Sequence, residues 1–510
     1  MQHSLTFLLL IPLTLFILIF CRRRHAWARE AAYARLAAVK SAVVKKLPGL
    51  GRQPPEVFVT DRFTAHRLLV GGAAAGGAFS DRPPSTVPSA VLSRRRHYNI
   101  NSAPYGPLWR AIRRNLTSEV FHPTRLRQHG RARRLALHGL VADLDQQRRA
   151  SGSAVLAAES LRAAMFGLLA TMCFGAGVDE GVVRAMADAQ DDLVQCFLGL
   201  RVFATLPALT GLIYRDRWRK LLQLRRQQEE AYLPLIEAHR AGRQRRNGEP
   251  PAYVDTLVDL RVPADEDAAA SGSGGGKRRK RQRRLTDGEL VGLCSEFLGA
   301  GTEPAAALLQ WIMANLVKRP DVQRALRQEI DAAVGVDADE VGEEVVARLE
   351  YLNAVIMEGL RLHPTVPRVF RKVMPDDHVV LDGRRLPAGT AVHFPLARLA
   401  RDQTTWTDPR EFRPERFLAG GEGEGVSLVA AAGSAGEIRM MPFGAGRRMC
   451  PGMGVAVLHL GYFVANLVRE FEWAEAEGEL GVDLRPHLGF FTVMKRPLRA
   501  HLTRLRREVS

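Results

Sequence analysis

Cysteine is scarce in this chain. Five occur in 510 residues (Cys21, Cys173, Cys196, Cys294 and Cys450), widely scattered and never spaced as C-x-x-C. That excludes a disulfide framework and a zinc module of the usual spacing, and it fits a reducing compartment. Aromatic residues make up only 7%, and none are interleaved with the basic runs, so nucleic acid is not an expected partner. Acidic residues fall short of basic ones, 54 against 73, for a formal charge of +19. The excess is clustered: Lys277–Arg284 ("KRRKRQRR") carries seven positive charges, and Arg triplets stand at 22–24 and 94–96. Such runs read as solvated loops or as contacts with anionic lipid. Internal repeats are absent and strand signals are few and short. The best of them is the hairpin-like "HVVLDGRRLPAGTAVHF" at 378–394.

What is present is a core. Hydrophobic residues make up 46%, enough for a large globular domain. One uncharged apolar run, Leu5–Cys21, ends directly on Arg22–Arg24. Positive charge after the run, rather than before it, predicts a retained single-pass anchor with the rest of the chain cytosolic. Residues 1–24 therefore read as anchor and basic stop, 25–54 as a divergent Ala- and basic-rich linker, and 55–510 as the main domain. Two low-complexity stretches, 264–284 and 419–437, read as exposed insertions. Helical periodicity marks 107–121 and 187–240. Thr286 and Glu289 stand in capping-box spacing and predict the start of a long helix. The fold class is mainly α with a minor β part.

The stretch with the most chemical information is "MPFGAGRRMCPGMGVAVLHL", 441–460. Glycines and two prolines turn the backbone around Cys450, and a helical pattern follows at once. A cysteine entering a helix beside Arg447 and Arg448 is expected to favour its thiolate, the form that ligates haem iron. A structural cysteine in a turn is the competing reading on residue type alone.

The spacing of Phe443, Gly446, Arg448, Cys450 and Gly452, F-x-x-G-x-R-x-C-x-G, resembles the haem-binding loop of the cytochrome P-450 family. "EGLR" (Glu358 to Arg361) is similar to the family's E-x-x-R helix, and "FRPERF" supplies Arg416 as third member of a Glu-Arg-Arg network. "WRAIR" supplies Trp109 and Arg113. The phrasing is closest to plant microsomal members, over roughly 55–505. The resemblance implies one large haem domain and haem b held by Cys450 as metal ligand. It implies that Trp109, Arg113, Arg448 and Arg371 (Arg368 as the alternative) donate to the haem propionates. It also implies NADPH-cytochrome P-450 reductase as electron donor, cytochrome b5 as a further one, a lipophilic small-molecule substrate, and placement in endoplasmic-reticulum membrane lipid.

One helix departs from the family. In "FLGAGTEPAAALLQW", 297–311, Ala300 and Gly301 match the small residues that leave room for dioxygen, and Glu303 matches the acid. Pro304 stands where the family has a threonine that helps deliver protons for O–O cleavage, and Ala305 replaces the next hydroxyl. An interior proline costs about 3 kcal/mol or more in an ordinary helix. The bond it deletes here, to the Ala300 carbonyl, lies where the family's helix is already opened. Thr302 is no substitute, being about 200° round the helix. Three readings follow: a membrane-anchored monooxygenase; an isomerase or dehydratase acting on a pre-oxidised substrate without reductase; or a catalytically impaired haem or interaction protein using its basic run.

Overall fold

The computed structural model describes residues 55–71, 79–82, 99–151, 154–203, 207–242, 250–264, 282–335, 338–375, 377, 379–429, 436–476 and 481–505. Glu56–Ser510 packs as one unit. Met1–Pro55 is a separate one; apart from Pro55 it lies outside the described residues, and with it the expected anchor and linker.

Helices dominate, as the periodicity predicts. In chain order the long ones are α1 (Pro107–Asn115), α2 (Gly130–Ser151), α3 (Ala157–Phe174), α4 (Glu180–Leu200) and α5 (Arg215–Arg240). There follow α6 (Asp287–Lys318), α7 (Pro320–Val334), α8 (Glu350–Leu362) and α9 (Met453–Glu470). The apolar pattern read over 107–121 begins as α1 and continues as a wider π turn, Leu116–Val120.

The central element is α6, 32 residues and about 48 Å long at 1.5 Å per residue. The predicted capping box starts it: the Thr286 N–H donates to Glu289 Oε2 at 2.7 Å, and the Glu289 N–H returns to Thr286 Oγ1 at 3.4 Å. Most of α6 between Leu290 and Val317 is buried on every side, which fits a helix enclosed by others rather than one lying on a surface. It packs on α3, α4, α5, α7, α8 and α9. Glycine permits two of these approaches. A Cβ on Gly301 would lie 2.7 Å from Leu169 Cδ1 of α3, and one on Gly359 of α8 would lie 2.5 Å from Ile312 Cγ1 of α6. Among the described residues one helix, α3, is long and apolar enough to cross a membrane, but 61% of it is buried and it belongs to the core.

The β part is small. Strand β1 (Glu56–Phe58) runs parallel to β4 (Ala391–Pro395), which pairs antiparallel with β3 (Arg368–Lys372). A second sheet joins β2 (Val155–Leu156), β6 (Arg499–Arg504) and β5 (Phe471–Ala474) in that spatial order. The hairpin expected over 378–394 is shorter than its pattern. Val380–Leu381 and Arg384–Arg385 pair around Asp382 and Gly383, both at positive φ, whereas Ala391–Pro395 leaves to become β4. The end of the basic insertion is also structured. Gln282–Arg284 pairs with Arg261–Pro263, and Arg283 grips the buried Glu289 carboxylate at 2.7 and 2.8 Å. Residues 265–281 lie outside the described set.

A large helical core and a smaller one flank the loop before α9. The smaller core joins Val59, Leu69 and Phe79 to Val392 and Phe394 of β4, and it takes in Met441 and Ala445. Two packed bodies thus hold the approach to Cys450.

Candidate functional site

The loop 443–452 is shaped by local backbone chemistry. Gly444 and Gly446 take φ of 71° and 70°, a region L side chains avoid. The Gly444 N–H reaches the Met441 carbonyl at 2.8 Å, the Met449 N–H the Gly446 carbonyl at 3.0 Å, and the Cys450 N–H the Phe443 carbonyl at 2.9 Å. These turns bring Cys450 back beside Phe443, just before α9 begins.

Burial pushes Cys450 up from its ordinary value, against the Gly452 N–H and the charges of Arg113 and Arg82. Arg447 and Arg448, the neighbours expected to favour the thiolate, point elsewhere. Arg447 donates to the Tyr105 hydroxyl, and Arg448 donates to the carbonyls of Ser80, Ile100 and Ala103 at 2.9, 3.2 and 2.7 Å. A buried thiolate needs a counter-charge, and a bound metal ion supplies one.

Around the loop stand four guanidiniums. Arg113 donates to the Met449 carbonyl at 2.6 Å, and Arg371 to the carbonyls of Ala445 at 3.0 Å and Phe370 at 2.9 Å. Arg82 donates to the Asn101 carbonyl at 3.1 Å. Trp109 is 4% exposed, donates Nε1–H to the Ile100 carbonyl at 3.0 Å, and carries Arg448 over its ring at 4.5 Å and Arg113 at 5.3 Å. Burial, with Arg82 and Arg448 beside it, holds Arg371 well below its usual range. Burial, Arg82 and Arg113 bring Arg448 to about 10. Among the described residues the carboxylates that act on this group are Asp81, 3.6 Å from Arg448, and Glu296, with Cys450 adding negative charge when ionised. Mutually repelling cations resting on backbone carbonyls make a cradle of a kind that can take an anion bearing carboxylates. Of the predicted donors, Trp109, Arg113, Arg371 and Arg448 meet here. Arg368, the alternative to Arg371, is exposed on β3.

The predicted Glu-Arg-Arg network is brought together by α8 and the segment 400–423. Glu358, Arg361 and Arg416 are 0%, 0% and 2% exposed. Arg361 forks onto Glu358 at 2.6 and 2.8 Å, and Arg416 Nε reaches Glu358 Oε1 at 3.3 Å. The remaining guanidinium hydrogens go to the carbonyls of Ala400, Pro409 and Glu411 from Arg361, and of Thr407 and Asp408 from Arg416. The first part of the glycine-rich stretch read as an exposed insertion belongs to this network. Glu422 pairs with Arg416 and Arg413 and accepts the Thr407 N–H, while the Gly423 N–H donates to the Arg416 carbonyl at 2.7 Å.

In α6 the helix continues through Pro304. Glu303 Oε1 is held by Arg162 of α3 at 2.8 and 3.0 Å, and Arg162 also lies 3.3 Å from Asp191 of α4. Thr302 is fully buried, and its hydroxyl has no hydrogen-bond partner among the described residues. Ala300 and Gly301 remain small positions at the same level. Sequence reasoning missed Arg82, Glu296, Glu422 and Arg162. Glu296 had a signal, since it is a lone acid inside an apolar helical run; the others had none.

Comparison with known proteins agrees with this geometry. The Cytochrome P450 family model matches residues 54–501. Cytochrome P450 89A9 of Arabidopsis thaliana is 40% identical over 453 residues, spanning 88% of this chain and 84% of that protein. Cytochrome P450 78A7 of the same plant is 31% identical, over 84% and 75%. A zebra fish cytochrome P450 solved with progesterone superposes with a TM-score of 0.67 at 22% identity, over 92% of this chain and 99% of that one. At that identity the likeness bears on the fold. A cysteine loop between two cores, a guanidinium cradle and a buried Glu-Arg-Arg strut thus meet a match over most of the chain: this protein is a member of the cytochrome P450 family, whose cofactor is haem.

Proposed function

We propose that the protein is a membrane-anchored monooxygenase that oxidises a small lipophilic substrate with electrons passed from NADPH by a cytochrome P-450 reductase. The observation that supports this reading best is the pairing of Cys450 with an under-compensated cluster of guanidiniums. Cys450 would ligate the iron; Trp109, Arg113, Arg371, Arg448 and Arg82 would take the propionates. Haem held by a thiolate supplies dioxygen activation and favours O–O cleavage. The rest is the work of the chain. Arginine stays charged in a buried site and forks onto a carboxylate, so the cradle fixes the cofactor's orientation. Ala300 would keep side-chain bulk away from the reacting side of α6, while Gly301 lets α3 approach through Leu169. With no hydroxyl at 304 or 305, Glu303 is the ionisable group of this segment, and its Oε2 is the oxygen not spent on Arg162.

Placement at the endoplasmic reticulum through the run 5–21, a role in plant specialised metabolism, and cytochrome b5 as a further electron donor belong to the same proposal. They are supported by the apolar run followed by Arg22–Arg24 and by the plant relatives.

Pro304 favours a second reading, rearrangement or dehydration of a hydroperoxide without reductase. Turnover separates the two: product from NADPH, reductase and dioxygen supports the monooxygenase, and product from a hydroperoxide alone supports the alternative. Pro304→Thr is the matched variant. It is expected to raise the fraction of NADPH electrons recovered in product; an unchanged fraction would show that a hydroxyl at 304 is not limiting.

A further inference from the structure

The loop 99–103 is bonded from two sides at once. From α6, one turn before Ala300, Glu296 presents both carboxylate oxygens to consecutive peptides. The Ile100 N–H donates to Oε2 and the Asn101 N–H to Oε1, each at 2.8 Å. The carbonyls of the same short loop carry the cations. Ile100 accepts Trp109 Nε1–H at 3.0 Å and Arg448 at 3.2 Å, Asn101 accepts Arg82 at 3.1 Å, and Ala103 accepts Arg448 at 2.7 Å. Burial raises the Glu296 carboxyl, while the two N–H groups and the charges of Arg82 and Arg448 oppose it.

We infer that Glu296 is a positioning residue for the haem-propionate cradle. Its carboxylate clamps Ile100 and Asn101 and so sets where Trp109, Arg82 and Arg448 present their donors. Its charge, with that of Asp81, offsets the crowded guanidiniums. The clamp also joins the cradle to the helix segment carrying Ala300 and Gly301, so movement of one is felt by the other. A neutral side chain with one acceptor could not hold two successive N–H groups and offset the cations together. The inference rests on the haem reading of Cys450.

The test uses haem-loaded full-length protein and follows haem transfer to excess apomyoglobin, which reads cofactor retention without turnover. Glu296→Ala is expected to release haem roughly tenfold faster, as befits loss of a buried charged acceptor. Glu296→Gln, which keeps the shape and one acceptor oxygen, should fall between the two. Glu329→Ala is the control. Glu329 clamps the consecutive N–H groups of Tyr351 and Leu352 at 2.7 and 2.9 Å at the start of α8, so it matches the bonding without the cradle. It should lower the melting temperature yet release haem at the wild-type rate. Equal rates for wild type and Glu296→Ala, or equal acceleration by Glu329→Ala, would overturn the inference. If Glu296→Ala does not fold, Glu296→Gln decides alone, and a wild-type rate there overturns it. A wild-type chain that takes up no haem would overturn the haem reading itself, a result distinct from haem held equally well without Glu296.

Discussion

Replacing Glu358 with alanine should destabilise the domain more than almost any other single change, and the network gives the magnitude. Glu358 accepts two hydrogen bonds from Arg361, one from Arg416 and one from the Arg413 N–H at 2.9 Å. Its removal leaves Arg361 without a carboxylate. Arg361 keeps three carbonyl partners, and Arg416 keeps Glu422 together with two carbonyls. Breaking a buried pair by deleting one partner costs about 3–5 kcal/mol. With those residual acceptors the lower half of that range applies, about 3–4 kcal/mol. Against a total stability of roughly 5–15 kcal/mol this is a large fraction. Glu358→Gln retains the shape and one carbonyl oxygen and should lose about half as much. Urea unfolding of both variants, extrapolated linearly to water, measures the difference, and the retained haem can be followed in the same samples. A loss below about 1 kcal/mol for Glu358→Ala, with haem retained, would refute the argument that this network is a main support of the domain.

Other outcomes follow from single contacts. Gly421→Ala would set a Cβ 2.3 Å from the Arg416 carbonyl oxygen and 2.6 Å from that of Glu415, both rigid backbone. It should cost about 1–3 kcal/mol in the melting curve, whereas Gly139→Ala, with open space around an exposed position of α2, should stabilise by up to about 1 kcal/mol. Glu422 sits at about 2: burial works against its ionisation, but the Thr407 N–H and Arg416 overcome that. Its contribution is therefore full above the ordinary value of 4.5 and fades as pH falls from there toward about 2. Partial exposure screens it to about 1 kcal/mol, and a difference in acid-unfolding midpoint between wild type and Glu422→Gln measures it.

How much of this was legible before the structure depends on how local the determinant is. The Thr286–Glu289 cap, the i,i+3 pair Glu358–Arg361 and the turns around Cys450 all lie within a few residues, and the sequence predicts each. The cradle is different. Arg82, Trp109 and Arg448 meet on the carbonyls of Ile100, Asn101 and Ala103, and a carbonyl partner leaves no mark in a sequence. Glu422 was hidden by composition, since a stretch of glycine and glutamate resembles a solvent loop. Gly421 and Gly423 are small because the Arg416 carbonyl and the Phe417 ring pass beside them. The register of 378–394 depended on β3 and on β1, and β1 lies far from the hairpin in the chain. Proximity in sequence also misled: Arg447 and Arg448 adjoin Cys450 yet serve other partners, and the more distant Arg113 and Arg82 act on it.

The proposed function stands on thiolate ligation of haem iron by Cys450. It is tested most directly by the absorption spectrum of the reduced, carbon monoxide-treated protein and of Cys450→Ser. The wild type should show a Soret band at the red-shifted position of thiolate ligation, and the variant should lose it. A band at the position of histidine-ligated haem, or an unchanged band in Cys450→Ser, would contradict it.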